Sequence, residues 1–300
     1  MVKGIGQHIR RSRADAVFDT VNTTICILLL FLFAFPLYNF LISSVSNSNA
    51  VYNGQVLWRP VGFTLDGYIE VFQNRDIWRG YRNSLLYTAG GVLLSLFMTV
   101  TVAYATARKD FMLRGFVMRM MTFTMYFSGG LIPTYLLIRD MHLLNTVWPV
   151  LLLGCVSVMN VIIVRTSFQT GIPEELREAA FLDGCGDARC LVSVVLPLSK
   201  AVLAVMVLYY GIGYWNAYFN AMIYLDNQNL HPLQLVLRQI LFQTQVDITQ
   251  LDDETVFARM KLQESIKYCV IVVASIPPML AYPVVQKYFI RGVLIGSIKG

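Results

Sequence analysis

Long apolar runs alternate with short polar connections along almost the whole chain. Six such runs lie at about 21–42, 85–107, 115–138, 147–164, 201–225 and 268–285. Each is about 18–25 residues long, enough for a helix to cross roughly 30 Å of hydrocarbon. The pattern predicts an all-α polytopic membrane protein with six transmembrane helices. The first run follows a basic flank, as a signal peptide would. It is too long for a signal core, Pro36 interrupts it, and no small-x-small cleavage site follows, so it reads as a retained span. The third run is broken near Ser128-Gly129-Gly130 and Pro133. Such breaks are tolerated at membrane depth where protein or a watery cavity meets the backbone.

The polar segments set the boundaries: a basic tail at 1–20, a six-span domain at 21–290, and a short basic tail at 291–300. Within the domain, 165–200 contains the longest strongly charged patch between two apolar runs, 174–197. Ile172-Pro173 suits a helix start, since a first-turn proline has no hydrogen bond to lose. Glu174 and Glu175 then sit where the helix dipole favours negative charge. Leu176, Ala179, Ala180 and Asp183 fall at i, i+3, i+4 and i+7, which predicts one small, nearly flat face. Gly184 ends that helix, and 188–196 predicts a second short one before Pro197. A charged helical hairpin with a small-residue face suits docking into a groove on another protein. The segment 232–242, in the connection before the last run, is amphipathic and suits either the outer membrane surface or a delivery protein.

Composition agrees with a membrane domain: 56% of the 300 residues are hydrophobic and only 14% charged, against about a quarter charged in soluble domains. The net charge of +6 matters less than its placement. With the N-terminus inside, 15 of the 24 lysines and arginines fall on the inner side and nine outside, which puts both termini and the 165–200 loop in the cytoplasm. Basic residues flank spans and form no stripe interleaved with aromatics, which argues against nucleic acid. Cys26, Cys155, Cys185, Cys190 and Cys269 include no C-x-x-C pair, so neither zinc nor a disulfide framework is expected.

Catalysis has no constellation behind it. There is no G-x-x-x-x-G-K-[ST] phosphate loop, and His8, His142 and His231 are far apart. The six runs also lack Asp and Glu, whereas an ion-coupled carrier usually keeps an ionisable group at membrane depth. An external energy source is therefore favoured; the alternative is a self-contained channel or ion-coupled secondary carrier with no ATPase partner. The fifth run is unusual in carrying Tyr210, Tyr214, Trp215, Asn216 and Tyr218. Flat aromatic faces with O–H, N–H and amide groups suit a sugar pathway. The same residues also fit an aromatic belt at the outer surface.

Glu178-Ala179-Ala180, three residues, Gly184, nine residues, then Val194-x-Leu196-Pro197 resembles the EAA loop of ABC-importer permeases, with Val194 where isoleucine is commoner. Tyr81-Arg82-Asn83-Ser84-Leu85, Ser128-Gly129-Gly130-Leu131-Ile132-Pro133, Leu144-Asn145-Thr146 and Tyr214-Trp215-Asn216-Ala217-Tyr218 are similar to carbohydrate-importer permeases. So are Tyr282-Pro283-x-x-Gln286 and the closing Gly296-Ser297-Ile298-Lys299-Gly300. The chain is most similar to the maltose-permease-like group, in the branch that takes up aldouronate or complex polysaccharide fragments. The resemblance implies a second homologous permease, two ATPase subunits that bind ATP and Mg, an extracytoplasmic sugar-binding protein, and an oligosaccharide crossing a bacterial cell membrane. This chain itself would carry no cofactor. It further implies that Glu178, Ala179, Ala180, Asp183, Gly184, Leu196 and Pro197 couple to an ATPase, with Gly296, Lys299 and Gly300 as a second contact. Few cations lie within the spans to grip carboxylates, so this chain alone gives no support to an acidic sugar.

Overall fold

The protein is described by a computed structural model covering residues 12–246, 266–283 and 286. Gly296, Lys299 and Gly300 lie outside the described residues. The chain falls into two compact units, Met1–Val71 with Gln250–Val272, and Phe72–Thr249 with Val273–Gly300.

In the first unit, α1 (Arg13–Ser44) begins at a capping box. Ser12 Oγ accepts from the Ala14 N–H at 3.2 Å, and the Ser12 N–H donates to the Asp15 carboxylate at 3.0 Å. Its apolar side chains point outward almost all round, as a lipid-facing helix requires. The far end is anchored by a small core of Ile42, Ala50, Val51 and Val56, formed with the short α2 (Ser48–Tyr52). Tyr38 donates to the Trp58 carbonyl at 2.7 Å and Asn39 to that of Val56 at 3.1 Å, so the polar loop folds back on the helix. The helix α3 (Asp66–Gln73) follows.

The second unit is built on α4 (Arg75–Ala107). This helix starts ten residues before the apolar run begins. Asn74 caps it by accepting from the Asp76 and Ile77 N–H groups at 2.9 and 3.4 Å. Its buried side carries Gly80, Ser84, Gly91, Ser95, Thr99 and Ala103, mostly four residues apart. In hydrocarbon, close approach of backbones replaces the hydrophobic effect as the source of helix association, and small residues permit it. Against α4 pack α8 (Val158–Gly171), α12 (Lys200–Asn216) and α14 (Leu233–Val246). The Tyr81–Leu85 motif pins the connection before α14. Asn83 Nδ2 donates to the Asn229 and His231 carbonyls at 2.7 and 3.0 Å, Tyr87 to that of Leu230 at 2.8 Å, and Ser84 Oγ accepts from the Leu233 N–H at 2.8 Å.

Three described helices are long and apolar enough to cross a membrane: α1, α4 and α15 (Ile266–Pro283). They become five if two bent pairs each count as one span. The first pair, α5 (Arg114–Tyr126) and α6 (Leu131–Asp140), bends by 115° at Gly130, whose φ is +83°. Pro133 sits harmlessly in the first turn of α6, so the glycines make the break. The second pair bends by 87° at Ser199, between α12 and the helical stretch Asp187–Leu198.

The expected fourth run, 147–164, is two helices, α7 (Trp148–Leu152) and α8, parted around Gly154 at φ +88°. The expected fifth run stops at Ala217, whose extended backbone separates α12 from α13 (Phe219–Tyr224). Apolar composition cannot reveal either break, because the interrupting residues are themselves small or aromatic.

A Cβ on Gly91 would stand 2.5–2.6 Å from the Tyr214 ring carbons, whereas one on Gly90 would meet Leu151 at 4.0 Å. Gly91→Ala is expected to destabilise the bundle by about 1–3 kcal/mol through overpacking. Thermal melting in detergent, with Gly90→Ala as the near-neutral control, checks this.

Candidate functional site

The charged loop folds as the sequence predicts at its start. The helix α9 (Glu174–Leu182) begins after Pro173, with Glu174 and Glu175 in the first turn. It ends in a Schellman closure: Cys185 N–H donates to the Ala180 carbonyl and Gly184 N–H to that of Phe181, both at 3.0 Å. Gly184 takes φ +78°, a region that L side chains rarely adopt, which is the physical reason for glycine there. The expected flat face is split. Leu176, Ala179 and Asp183 are exposed along with Glu178, but Ala180 turns inward against the core around Val164, Phe168 and Cys190. Leu182, which the spacing did not single out, is 89% exposed beside Phe181.

The expected second helix over 188–196 is irregular. It consists of α10 (Asp187–Cys190), a π-helical segment Leu191–Val195 and the single turn α11 (Leu196–Leu198). Pro197 cannot donate to an α-helical ladder, and the turns before it widen. Leu196 is half-buried against the core and Pro197 is exposed.

Three consecutive residues at the end of α4 tie this loop to the bundle. Arg108 pairs with Asp110 (Nε to carboxylate 2.9 Å) and with Asp187, the first residue of α10. Lys109 pairs with Glu174, the first residue of α9. Asp110 also meets Arg177 at 3.4 Å, and Arg177 reaches back to Glu174 at 3.1 Å. The Phe181 ring lies 5.8 Å from both the Arg108 and the Arg177 guanidinium. From α8, Arg165 Nε donates to the Thr106 carbonyl at 3.0 Å and Gln169 to that of Ala107 at 3.3 Å, which satisfies two of the four open carbonyls at the C-terminus of α4. Beneath the network is a cavity of about 490 Å³, lined in part by Tyr104, Lys109, Gln169, Thr170 and Glu175. Sequence reasoning missed Arg108, Lys109 and Asp110 as site residues. Their only local signal is a charge run closing an apolar span.

The hydrogen bond from Arg108 holds the Asp110 carboxyl well below the usual carboxylate range, and the Asp110 bond raises Arg108 in turn. The bond from Lys109 lowers Glu174.

The fifth-run aromatics do not form one cluster. Tyr210 and Tyr214 face α4: Tyr210 O–H and Thr99 Oγ1 are 2.6 Å apart, and Tyr214 O–H donates to the Leu151 carbonyl at 2.8 Å with Ser95 Oγ at 3.2 Å. Both line a cleft of about 290 Å³ with Ser157, Asn160, Tyr209 and Asn220. Trp215 is buried elsewhere, its indole N–H donating to the Ala274 carbonyl at 3.1 Å and its ring 5.8 Å from Tyr81. Asn216 is exposed, and Tyr218 lies beyond the helix break with the Arg238 guanidinium 5.1 Å from its ring. Asn160 was legible as the one side-chain amide within the fourth apolar run.

A bundle of membrane-length helices with a tyrosine- and amide-lined cleft, and a short acidic helix strapped to its spine, has the build of a membrane transport component. Residues 91–295 match the binding-protein-dependent transport system inner membrane component family, and the chain belongs to it. Protein LplC of Bacillus subtilis is 39% identical over 80% of this chain and 81% of its own length. The polygalacturonan/rhamnogalacturonan transport system permease protein YtcP of the same species is 33% identical over 95% of this chain and 99% of its own. A crystal structure of a bacterial ABC transporter involved in import of the acidic polysaccharide alginate contains a chain matched with a TM-score of 0.83. That match has 33% identity and covers 93% of this chain and 99% of the other.

Two outcomes follow from the site. Because Asp110 has a depressed folded pKa, its contribution is present above the unfolded value of about 3.9 and is lost as pH falls through the lower folded value. The melting-temperature gap between the native chain and Asp110→Asn should thus hold steady from about pH 8 to pH 5 and close only under stronger acid. Separately, Tyr210→Phe should cost about 1–2 kcal/mol by stranding the buried Thr99 hydroxyl, and adding Thr99→Val should recover part of it in the same melts.

Proposed function

We propose that this chain is one of two permease subunits of an ATP-driven, binding-protein-dependent importer of oligosaccharides. In this reading six crossings place both termini in the cytoplasm, with α7 and α8 together making the fourth. ATP and Mg are bound by two ATPase subunits, and an extracytoplasmic binding protein delivers the sugar. The observation that carries the reading is α9: a short acidic helix closed by Gly184, displaying Leu176, Glu178, Ala179 and Leu182 outward while its other side is fixed to α4. A partner's groove can accept that face without disturbing the bundle. The terminal Gly296, Lys299 and Gly300 are proposed as a second ATPase contact.

Family membership supports the delivery partner, and the relatives named for polygalacturonan/rhamnogalacturonan and alginate transport support a polysaccharide fragment as cargo. The cleft lined by Asn160, Tyr210, Tyr214 and Asn220 is the stronger candidate for this chain's part of the pathway. Trp215, whose indole N–H already has a carbonyl partner, is the weaker one.

Vesicles containing the full complex, given a labelled galacturonate trisaccharide or arabinotriose, test the reading. Glu178→Arg or Gly184→Val should abolish ATP-dependent accumulation while membrane insertion and chain level stay unchanged. Uptake that survives these changes, or that proceeds without any ATPase subunit, points instead to a carrier or channel.

A further inference from the structure

Between α9 and the bundle there are two routes for mechanical force. The covalent route is interrupted three times: at Gly184 with φ +78°, at the π-helical segment Leu191–Val195, and at the 87° bend around Ser199. Each interruption breaks the straight α-helical rod, so the covalent route offers no single stiff strut from α9 to α12. The second route is the charged tripeptide at the end of α4, which touches the start of α9 through Lys109–Glu174, its second turn through Asp110–Arg177, and the start of α10 through Arg108–Asp187. These contacts join residues 65, 67 and 79 positions apart. Arg108 and Arg177 are each only 19% exposed and hold the Phe181 ring between them at 5.8 Å. A cavity lined in part by Lys109, Glu174 and Arg177 adjoins this side of α9 while Ala180 packs on the core, so ion pairs and packing together set the distance of α9 from α4. Beyond the clamp the route is stiff: α4 is one unbroken helix to Arg75 and is bonded to α12 through Thr99–Tyr210 and Ser95–Tyr214.

We propose that Arg108 and Asp110 are positioning residues that lock α9 and α10 to the end of α4, so that displacement of α9 moves α4 and the tyrosine-lined cleft as one body. The inference deepens the importer reading and rests on it for the source of the push. Its own content is the rigidity of the α9–α4 joint, which can be measured without nucleotide or sugar.

Spin labels on genetically encoded residues at positions 175 and 97, both exposed and neither on the face offered to a partner, report the α9–α4 distance by pulsed electron resonance in the full complex. A narrow distribution is expected, unchanged between the nucleotide-free state and ATP with vanadate. Arg108→Ala with Asp110→Ala should broaden it at least twofold, and Arg108→Lys, which keeps charge but not the fork to two carboxylates, should fall between. Raising salt from about 0.05 to 1 M should broaden the native distribution and leave the double variant unchanged, because screening acts on ion pairs and not on packing. A native distribution that shifts with nucleotide, or a double variant as narrow as the native chain, would overturn the clamp. Absence of ATPase subunits from the purified native complex would instead defeat the importer reading, while the nucleotide-free width would still decide the clamp.

Discussion

Helices in a bilayer gain nothing from hiding apolar surface from lipid, so they hold together only where backbones come close and polar groups find each other. The second unit of this protein meets that constraint along one face of α4. Gly91 leaves room for the Tyr214 ring, Gly80 lets the Leu233 backbone approach, and Ser84, Ser95 and Thr99 reach across to α14 and α12. A larger residue at Gly91 removes that approach and the neighbouring hydrogen bonds with it. The same helix carries the charged tripeptide at its other end. Packing of the bundle and placement of the acidic helix thus belong to one continuous helix.

The charged network is made of pairs that would contribute little individually at a solvated surface. Its value is geometric. Three residues in a row reach three points on the loop, and the guanidinium fork of Arg108 addresses two carboxylates at once. Bond direction and charge agree: Asp110 is held ionised and Arg108 protonated by each other, so the arrangement is insensitive to pH near neutrality.

Local chemistry was legible in the sequence and distant pairing was not. The helix over Glu174–Leu182 could be read because proline, paired acids and Gly184 each act within one turn of their own position. The first and second spans could be read from apolar length, though not the start of α4, since Arg75, Asp76, Arg79 and Arg82 make its first turns polar. The breaks at Gly154 and Ala217 leave no compositional trace in an apolar stretch. Tyr210 and Tyr214 were recognisable as unusual, but their direction depends on α4 lying opposite, and Tyr218 left the helix where the chain kinks. Lys109 and Glu174 meet across 65 residues, which no window of periodicity can show.

The sharp bend between α5 and α6 leaves Ser128 and Gly129 outside the helical ladder, and every residue from 122 to 133 is exposed. If these two helices form one crossing, bare peptide groups would face hydrocarbon, at a cost of several kcal/mol for each unsatisfied group. A copy inserted alone would be poorly tolerated by its membrane until something covered that elbow. Its cellular abundance would then follow the supply of whatever provides the cover, with surplus chains left to the proteases that patrol the bilayer.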